Sequence, residues 1–350
     1  MFRVLTIDDR IEWENILSNV SNYDFYHTWD YNKTSFKNGE GVPVLCIYTK
    51  DNETIVFPIL KRPIQNIGDV DIVDMYDFTS VYGYAGPLSS NNVSKGTIEN
   101  FSIEFKNYCQ SNNIISGFSR LHPLIKQENI LSSLGTIEHN SKTVTIDLSQ
   151  TLEEQRKHYR KSNKSEINQL RRKAEIIWSD KSLEDIRAFI DIYNANMRRV
   201  DAKDYYYFNE DYYKVFFNST GYDAHLLFVE IEGIKVAGAI FVFCDNVIQY
   251  HLAGTHEDFL RIAPIKLLLD EMRLFGTENG YNHLHLGGGT SRSEDDPLFK
   301  FKRGFSKIFL DFQIFKSIFD QDKYDALSEK VRKKSSNFNE NFFPLYRNII

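Results

Sequence analysis

Two α/β units, each a mixed twisted sheet flanked by helices, are what the residue pattern calls for, on three observations. The chain has 350 residues, more than one hydrophobic core ordinarily serves. Its periodic segments run helix, hairpin, loop, helix, strand, strand in the first half, and helix, helix, hairpin, strand, helix, strand, strand in the second. Between the halves the composition breaks: the stretch 153–177 carries Arg156, Lys157, Arg160, Lys161, Lys164, Arg171, Arg172 and Lys173 against Glu153, Glu154, Glu166 and Glu175. The boundary is therefore placed at about residue 150, giving units 1–150 and 151–350.

Composition narrows the classes of function. Hydrophobic residues at 42% and aromatic ones at 14% indicate globular domains. A net charge of -6 argues against a general polyanion binder and against DNA as a partner, while leaving room for a local basic face. Cys46, Cys109 and Cys244 are far apart and odd in number, so neither a disulfide framework nor a zinc site is suggested, and a reducing cytoplasm fits. Asp8, Asp9, Arg10, Glu12 and Glu14 interrupt Met1–Val20 where a signal peptide needs an apolar core, and no apolar run reaches membrane-spanning length.

In the first half, Ile11–Val20 reads as a short amphipathic helix, and the YDFYHTW segment Tyr23–Trp29 is dense enough in aromatics to be core. Val42–Tyr48 and Glu53–Lys61 are apolar strands joined at Lys50-Asp51-Asn52, a turn composition, and so form a hairpin closed by Pro63. The YGYAGPL segment Tyr82–Leu88 suits either a ligand-facing loop or a structural turn with packed tyrosines. Lys95–Ser111 has helical spacing in Ile98, Phe101, Phe105 and Tyr108, and Gly117–Leu121 and Thr143–Leu148 are strand-like.

In the second half the basic stretch, read as one helix over 153–177, is either a solvated face or a receiver of phosphates. Leu183–Arg199 is a helix with Ile186, Phe189, Ile190, Tyr193 and Met197 on one stripe. Ala224–Ile231 and Lys235–Cys244 form a hairpin turned at Glu232-Gly233. Val247–Ala253 alternates like a half-buried strand, Gly254 gives room to turn, and Pro264 opens a helix whose buried face is Ile265, Leu268, Leu269, Met272 and Phe275. Gly280 ends that helix, with Glu271 and Glu278 expected at its surface, and Tyr281–Leu286 returns as a parallel strand. Its exit, Gly287-Gly288-Gly289, lets another backbone or a ligand approach closely. Then LFKFKRGF, Leu298–Phe305, reads as an extended strap with Lys300 and Lys302 on one side and Phe299 and Phe301 on the other. A GxSxG elbow, a P-loop and metal-spaced histidines are all missing.

The order of these segments resembles the GNAT acyltransferase fold used twice in one chain, as in the Fem-type (FemAB-like) peptidoglycan bridge-forming transferases and their bacterial acetyltransferase-like relatives. It is carried by FYHTW, YGYAGPL, LRRKAE at Leu170–Glu175, VEIEGIKVAGAIF at Val229–Phe241, YHLAGT with LLLDEM, HLGGG at His285–Gly289, and LFKFKRGF. The resemblance implies transfer of an acyl group, acetyl above all, from acyl-coenzyme A to an amine of a cell-envelope or surface-glycan precursor, without metal or bound cofactor, in the cytoplasm. The long helical arm that some Fem-type enzymes insert after the basic helix is missing here, which makes an aminoacyl-tRNA donor the alternative. A non-catalytic module that binds glycans or nucleotide-linked sugars is a further one.

Acyl transfer to an amine needs aligned reactants, a route for a proton and donors for the oxyanion. The resemblance places Lys302 near the reacting groups, with Tyr250 and His285 as proton-handling candidates; a packed tyrosine and a core histidine are the competing readings. His251 and His283 lie on the same two strands and are read as core or surface histidines. Arg261, Ala263, Pro264 and Ile265 open the central helix, where outward N–H groups receive a donor phosphate; an ordinary capped helix is the competing reading. Tyr82, Tyr84, Arg171, Arg172, Arg199, Gly288 and Lys300 are the candidate acceptor-binding residues, the first unit forming the acceptor side.

Overall fold

The structure is a computed structural model that describes residues 1–65, 72–334 and 339–348. The chain divides into two compact units, Met1–Asn140 with Phe312–Ile350, and Ser141–Asp311. The segment from residue 312 onward, which the sequence reading places with the second unit, belongs to the first.

Unit 1 contains β1 (Phe2–Leu5), α1 (Arg10–Leu17), α2 (Trp29–Lys37), β2 (Val42–Lys50), β3 (Glu53–Pro63), β4 (Tyr76–Thr79), β5 (Leu88–Ser89), α3 (Lys95–Ser111), β6 (Ile114–Arg120) and α4 (Glu128–Leu131). Strands β1, β2, β3 and β4 pair antiparallel in succession, and β4 then pairs parallel with β6 across α3. Helix α3 begins where the Ser94 side chain accepts from the Thr97 N–H, satisfying one of the amides a helix start leaves open. Its Phe101, Phe105 and Cys109 recur every fourth residue and sink into a core with Phe57, Phe78 and Phe315, as the sequence spacing requires.

In unit 2, β7 (Thr136–Asp147) enters from unit 1 and is followed by α5 (Leu152–Lys157), α6 (Lys161–Leu170), β8 (Glu175–Trp178), α7 (Leu183–Arg199), α8 (Glu210–Phe217), β9 (Asp223–Ile231), β10 (Ile234–Cys244), β11 (Val247–Thr255), α9 (Ile265–Glu278), β12 (His283–Gly287) and α10 (Pro297–Lys302). The sheet runs β7, β12, β11, β10, β9, β8, with β12 and β11 parallel and the rest antiparallel. Helix α9 covers one face, where Leu267, Leu268 and Met272 meet Ile248, Leu284 and Leu286. Helix α7 covers the other so closely that a side chain at Gly254 would meet the backbone of Ile192 and Tyr193 at 3.0 Å; Gly254 is thus a packing residue inside β11 and not the turn the sequence suggests. The chain returns to unit 1 along β13 (Ile308–Ile318), whose end pairs antiparallel with β6, and closes with α11 (Gln321–Lys334).

The basic stretch is not one helix. Thr151 and Glu154 form a capping box that starts α5, and the chain breaks between α5 and α6 before turning out into β8. Nor is LFKFKRGF extended: the Asp296 side chain accepts from the Phe299 N–H and Pro297 stands in the first turn, so α10 is a helix. In a helix Lys300 and Lys302 point different ways, and they do: Lys302 is buried while Lys300 is half-buried, its amine paired with Asp295 at 2.8 Å.

Candidate active site

The sheet of unit 2 opens between its two parallel strands. Strands β11 and β12 are paired only from Val247/His283 to Gln249/His285. Beyond that, β11 continues to Thr255 on β10, while Gly287 of β12 stays with Val144 of β7. The strands therefore part at their carboxyl ends, and this is where an open α/β sheet receives its ligand. A register shift sharpens the parting: Ile240 faces Leu252 and Phe241 faces Tyr250, so His251 is an extra residue in β11, and a bulge of this kind bends the strand and re-aims its side chains.

Lys302 stands beside the parting. It is 8% exposed, its Nζ donates to the Gly288 carbonyl at 2.7 Å, and it lies 5.7 Å from the centre of the Tyr250 ring. Burial pushes its amine down to about 7, against the opposing pull of the Asp296 charge, because a low-polarity surrounding disfavours the charged form. Burial pushes the Tyr250 hydroxyl up instead, so it keeps its proton throughout the physiological range. The structure thus brings together Lys302, Tyr250 and Gly288, with the amine bonded to the Gly288 carbonyl and lying over the Tyr250 ring.

His285 is elsewhere. It alternates with Leu284 and Leu286, which face α9, and its Nδ1 meets the Gln249 Oε1 at 2.7 Å. Alternation puts it on the sheet face opposite Tyr250, fully buried, so the structure does not join it to Lys302.

The start of α9 is partly closed on itself. Ala263 adopts a left-handed conformation at φ 50°, Pro264 precedes the helix, and the amides of Lys266 and Leu267 bond to the carbonyls of Ala263 and Pro264. The expected row of open N–H groups is shorter than the sequence suggests, with Ile265 inside the first turn and Arg261 exposed before it. Arg171 reaches Asp270 at 3.0 Å and Glu271 at 3.1 Å on α9, so its charge, and the carboxylate expected at the surface, are largely used within the protein. Arg172 and Arg199 are exposed, the latter bonded to the Asn196 side chain.

Asp296 went unnoticed in the sequence, although Asp-Pro directly before an apolar run is a helix-start signature. The buried carboxylate of Asp270 was missed too: it pairs with Arg273, Arg171 and Arg156 and holds α5 and α6 to α9. Nothing in local periodicity distinguishes it from the exposed acids around it.

Unit 1 has the same parallel pair, β4 and β6, but there the end is shut. The Ser80 N–H bonds the Phe118 carbonyl at 3.1 Å, and Ala85 of the YGYAGPL segment bridges to Leu121. Gln127 locks the segment by donating to the Ala85 carbonyl at 2.9 Å, and beneath it Asp24 meets His122 at 2.8 Å. His27, buried alongside, is pushed down to about 4 by that burial and by His122. Within unit 1 both loop tyrosines have a structural part: the Tyr82 carbonyl accepts from the Tyr31 hydroxyl, and the Tyr84 ring packs edge-on against Tyr26 and Phe312.

Among the described residues no group of three or more His, Cys, Asp or Glu side chains is placed to hold a metal, and no helix is long and apolar enough to cross a membrane. Residues 156–303 match the family model for the acetyltransferase (GNAT) domain. Among solved structures, FemX is similar over 93% of this chain and 99% of its own, with a TM-score of 0.72 and 13% identity. The L-PGS of Bacillus licheniformis is similar over 88% of this chain and 92% of its own, at TM-score 0.57 and 12% identity. The C-terminal domain of a putative lysylphosphatidylglycerol synthetase from Agrobacterium fabrum follows over 88% and 91%, at TM-score 0.53 and 9% identity. A search of curated proteins gives no match. At these identities the structural likeness is one of fold, and the sequence match falls on the unit that holds Lys302: residues 156–303 are similar to the acetyltransferase (GNAT) domain, within a chain whose fold is similar to that of FemX.

Proposed function

We propose that the protein moves an acyl group from acyl-coenzyme A to an amine on a cell-envelope or surface-glycan precursor, in the cytoplasm, with Lys302 as the residue that handles the proton. The observation that carries this is the Lys302 amine, buried beside the parted strands and brought down to about 7. An amine acceptor attacks the thioester carbonyl only when it can shed a proton, and neutral Lys302 takes it. When the tetrahedral intermediate collapses, the carbon–sulfur bond breaks, and Tyr250, still protonated, gives its proton to the departing thiolate. The Lys302 ammonium then returns a proton to the phenolate, and the pair is reset. The pyrophosphate of the donor is assigned to Arg261, Ala263, Pro264 and Ile265 at the start of α9, and the acceptor to Gly288 and Lys300 on the other side of Lys302.

A second reading keeps the chemistry and changes the donor to aminoacyl-tRNA. It is favoured by the exposed cations Lys157, Arg160, Lys161, Arg172 and Lys173 along α5 and α6. Thermal stabilisation separates the two: coenzyme A at a concentration well above its Kd raises Tm on the first reading and leaves it unchanged on the second. Charged tRNA bound with a steep salt dependence, lost on replacing Arg172 with glutamine, would establish the second.

A further inference from the structure

We infer that Asp296 is a positioning residue for transfer: its carboxylate ties the glycine turn after β12 to the first turn of α10, and so holds the Gly288 carbonyl against the Lys302 amine. The inference rests on the reading of Lys302 given above, and it adds a residue that neither the sequence pattern nor the resemblance singles out.

The geometry is specific. Asp296 is 4% exposed. One carboxylate oxygen accepts from the Phe299 N–H at 3.0 Å; the other accepts from the Thr290 N–H at 3.1 Å, the Thr290 hydroxyl at 2.7 Å and the Ser291 N–H at 3.0 Å. A single side chain therefore fastens two segments, Gly288–Ser291 and Pro297–Lys302, each carrying one partner of the Lys302–Gly288 bond. Gly289 is what lets it in: a Cβ there would stand 2.4 Å from the Asp296 Oδ1. Burial alone would raise the Asp296 carboxyl, but the bonds from Thr290, Phe299 and Ser291 hold it down at about 2. It stays ionised in every condition the enzyme meets.

That fixed negative charge is also the one that pulls the Lys302 amine back up against burial. The other groups around it are accounted for differently. Tyr250 on β11 presents its ring. On α10 and the turn, Lys300 is paired with Asp295, and Glu294 with Lys142 of β7. Arg160 at the start of α6 donates to the Lys300 carbonyl. Asp296 thus sets both where the amine points and at which pH it becomes neutral, without touching a substrate.

The test follows the Lys302 amine directly, by NMR of protein carrying ¹⁵N-lysine with Lys302→Met to assign the signal, beside the pH profile of transfer. Asp296→Asn keeps the size of the side chain and removes its charge. The expected result is a Lys302 midpoint lowered by about one pH unit, with the acidic limb of kcat moving by the same amount and the acceptor KM little changed. If the midpoint moves and the pH profile does not, Asp296 controls the amine as inferred, and it is the role of Lys302 in transfer that falls. A folded Asp296→Asn protein with an unmoved midpoint overturns the inference. Should that variant not fold, Thr290→Val removes one bond to the carboxylate from an exposed position and leaves its charge in place; a moved Lys302 midpoint with reduced kcat supports the inference, and no change in either overturns it.

Discussion

A lysine amine ordinarily keeps its proton to beyond pH 10, and the lowering of Lys302 to about 7 makes stability depend on pH. Below about pH 7 the amine is charged in both states, and the fold bears the full cost of burying it. Between about 7 and the unperturbed 10.5 the unfolded chain holds a proton that the folded chain does not, so stability rises with pH. Lys302→Met has no such slope. Urea unfolding is expected to show the variant more stable than the natural protein at pH 6, by a few kcal/mol at the order-of-magnitude level, with the gap narrowing as pH approaches 10. Transfer is expected to fall by roughly a hundred- to ten-thousandfold, the usual contribution of a positioned proton-transfer group. A variant less stable at pH 6 would contradict the burial account, and unchanged transfer would contradict the site. Lys302 is singled out in the sequence through resemblance alone, and its burial was not legible there: alternating Phe-Lys-Phe-Lys has the period of a strand, and the capping by Asp296 and Pro297 overrides it.

At the scale of elements, α9 is held from two sides. Its apolar stripe packs on the sheet, and its Asp270 receives Arg273, Arg171 and Arg156, with Arg273 also donating to the Gln155 Oε1 at 3.1 Å. Asp270→Ala leaves Arg273, itself 1% exposed, without its buried counter-charge, and is expected to cost about 3–5 kcal/mol in urea unfolding. Arg171→Gln removes a side chain that is 35% exposed and is expected to cost about 1 kcal/mol or less. Equal losses from the two would mean that the cluster acts as a surface network and not as a buried clasp. The apolar stripes of α3 and α9 could be read directly from sequence, because burial on one face leaves a 3.6-residue period. The basic stretch could not: its charges mark exposure, which α5, α6 and the edge strand β8 share, and carry no period to tell them apart.

For the whole molecule, two units were legible from length and from the recurrence of element order, but their limits were not. Return of the tail to unit 1 depends on β13 pairing with β6, and on Arg347 and Tyr346 reaching the fully buried Asp77, contacts between residues far apart in sequence. Arg347→Ala leaves Asp77 with Arg62 at 2.9 Å and is expected to lower the stability of unit 1 by about 2–4 kcal/mol, read from the fluorescence of Trp13 and Trp29; an unchanged midpoint would show that the tail is held by apolar packing alone. The parted strands of unit 2 have a consequence of another kind. Among the described residues β12 pairs with β11 only as far as Gln249, so the outward-facing amides of Leu252–Thr255 lie beyond that pairing, whereas the matching end of unit 1 is zipped by Ser80 and Ala85. In deuterated water those amides of β11 are expected to exchange within the open time of a loop, Ser80 only on unfolding of its unit, and a bound donor lying along β11 should slow the first set while leaving Ser80 untouched.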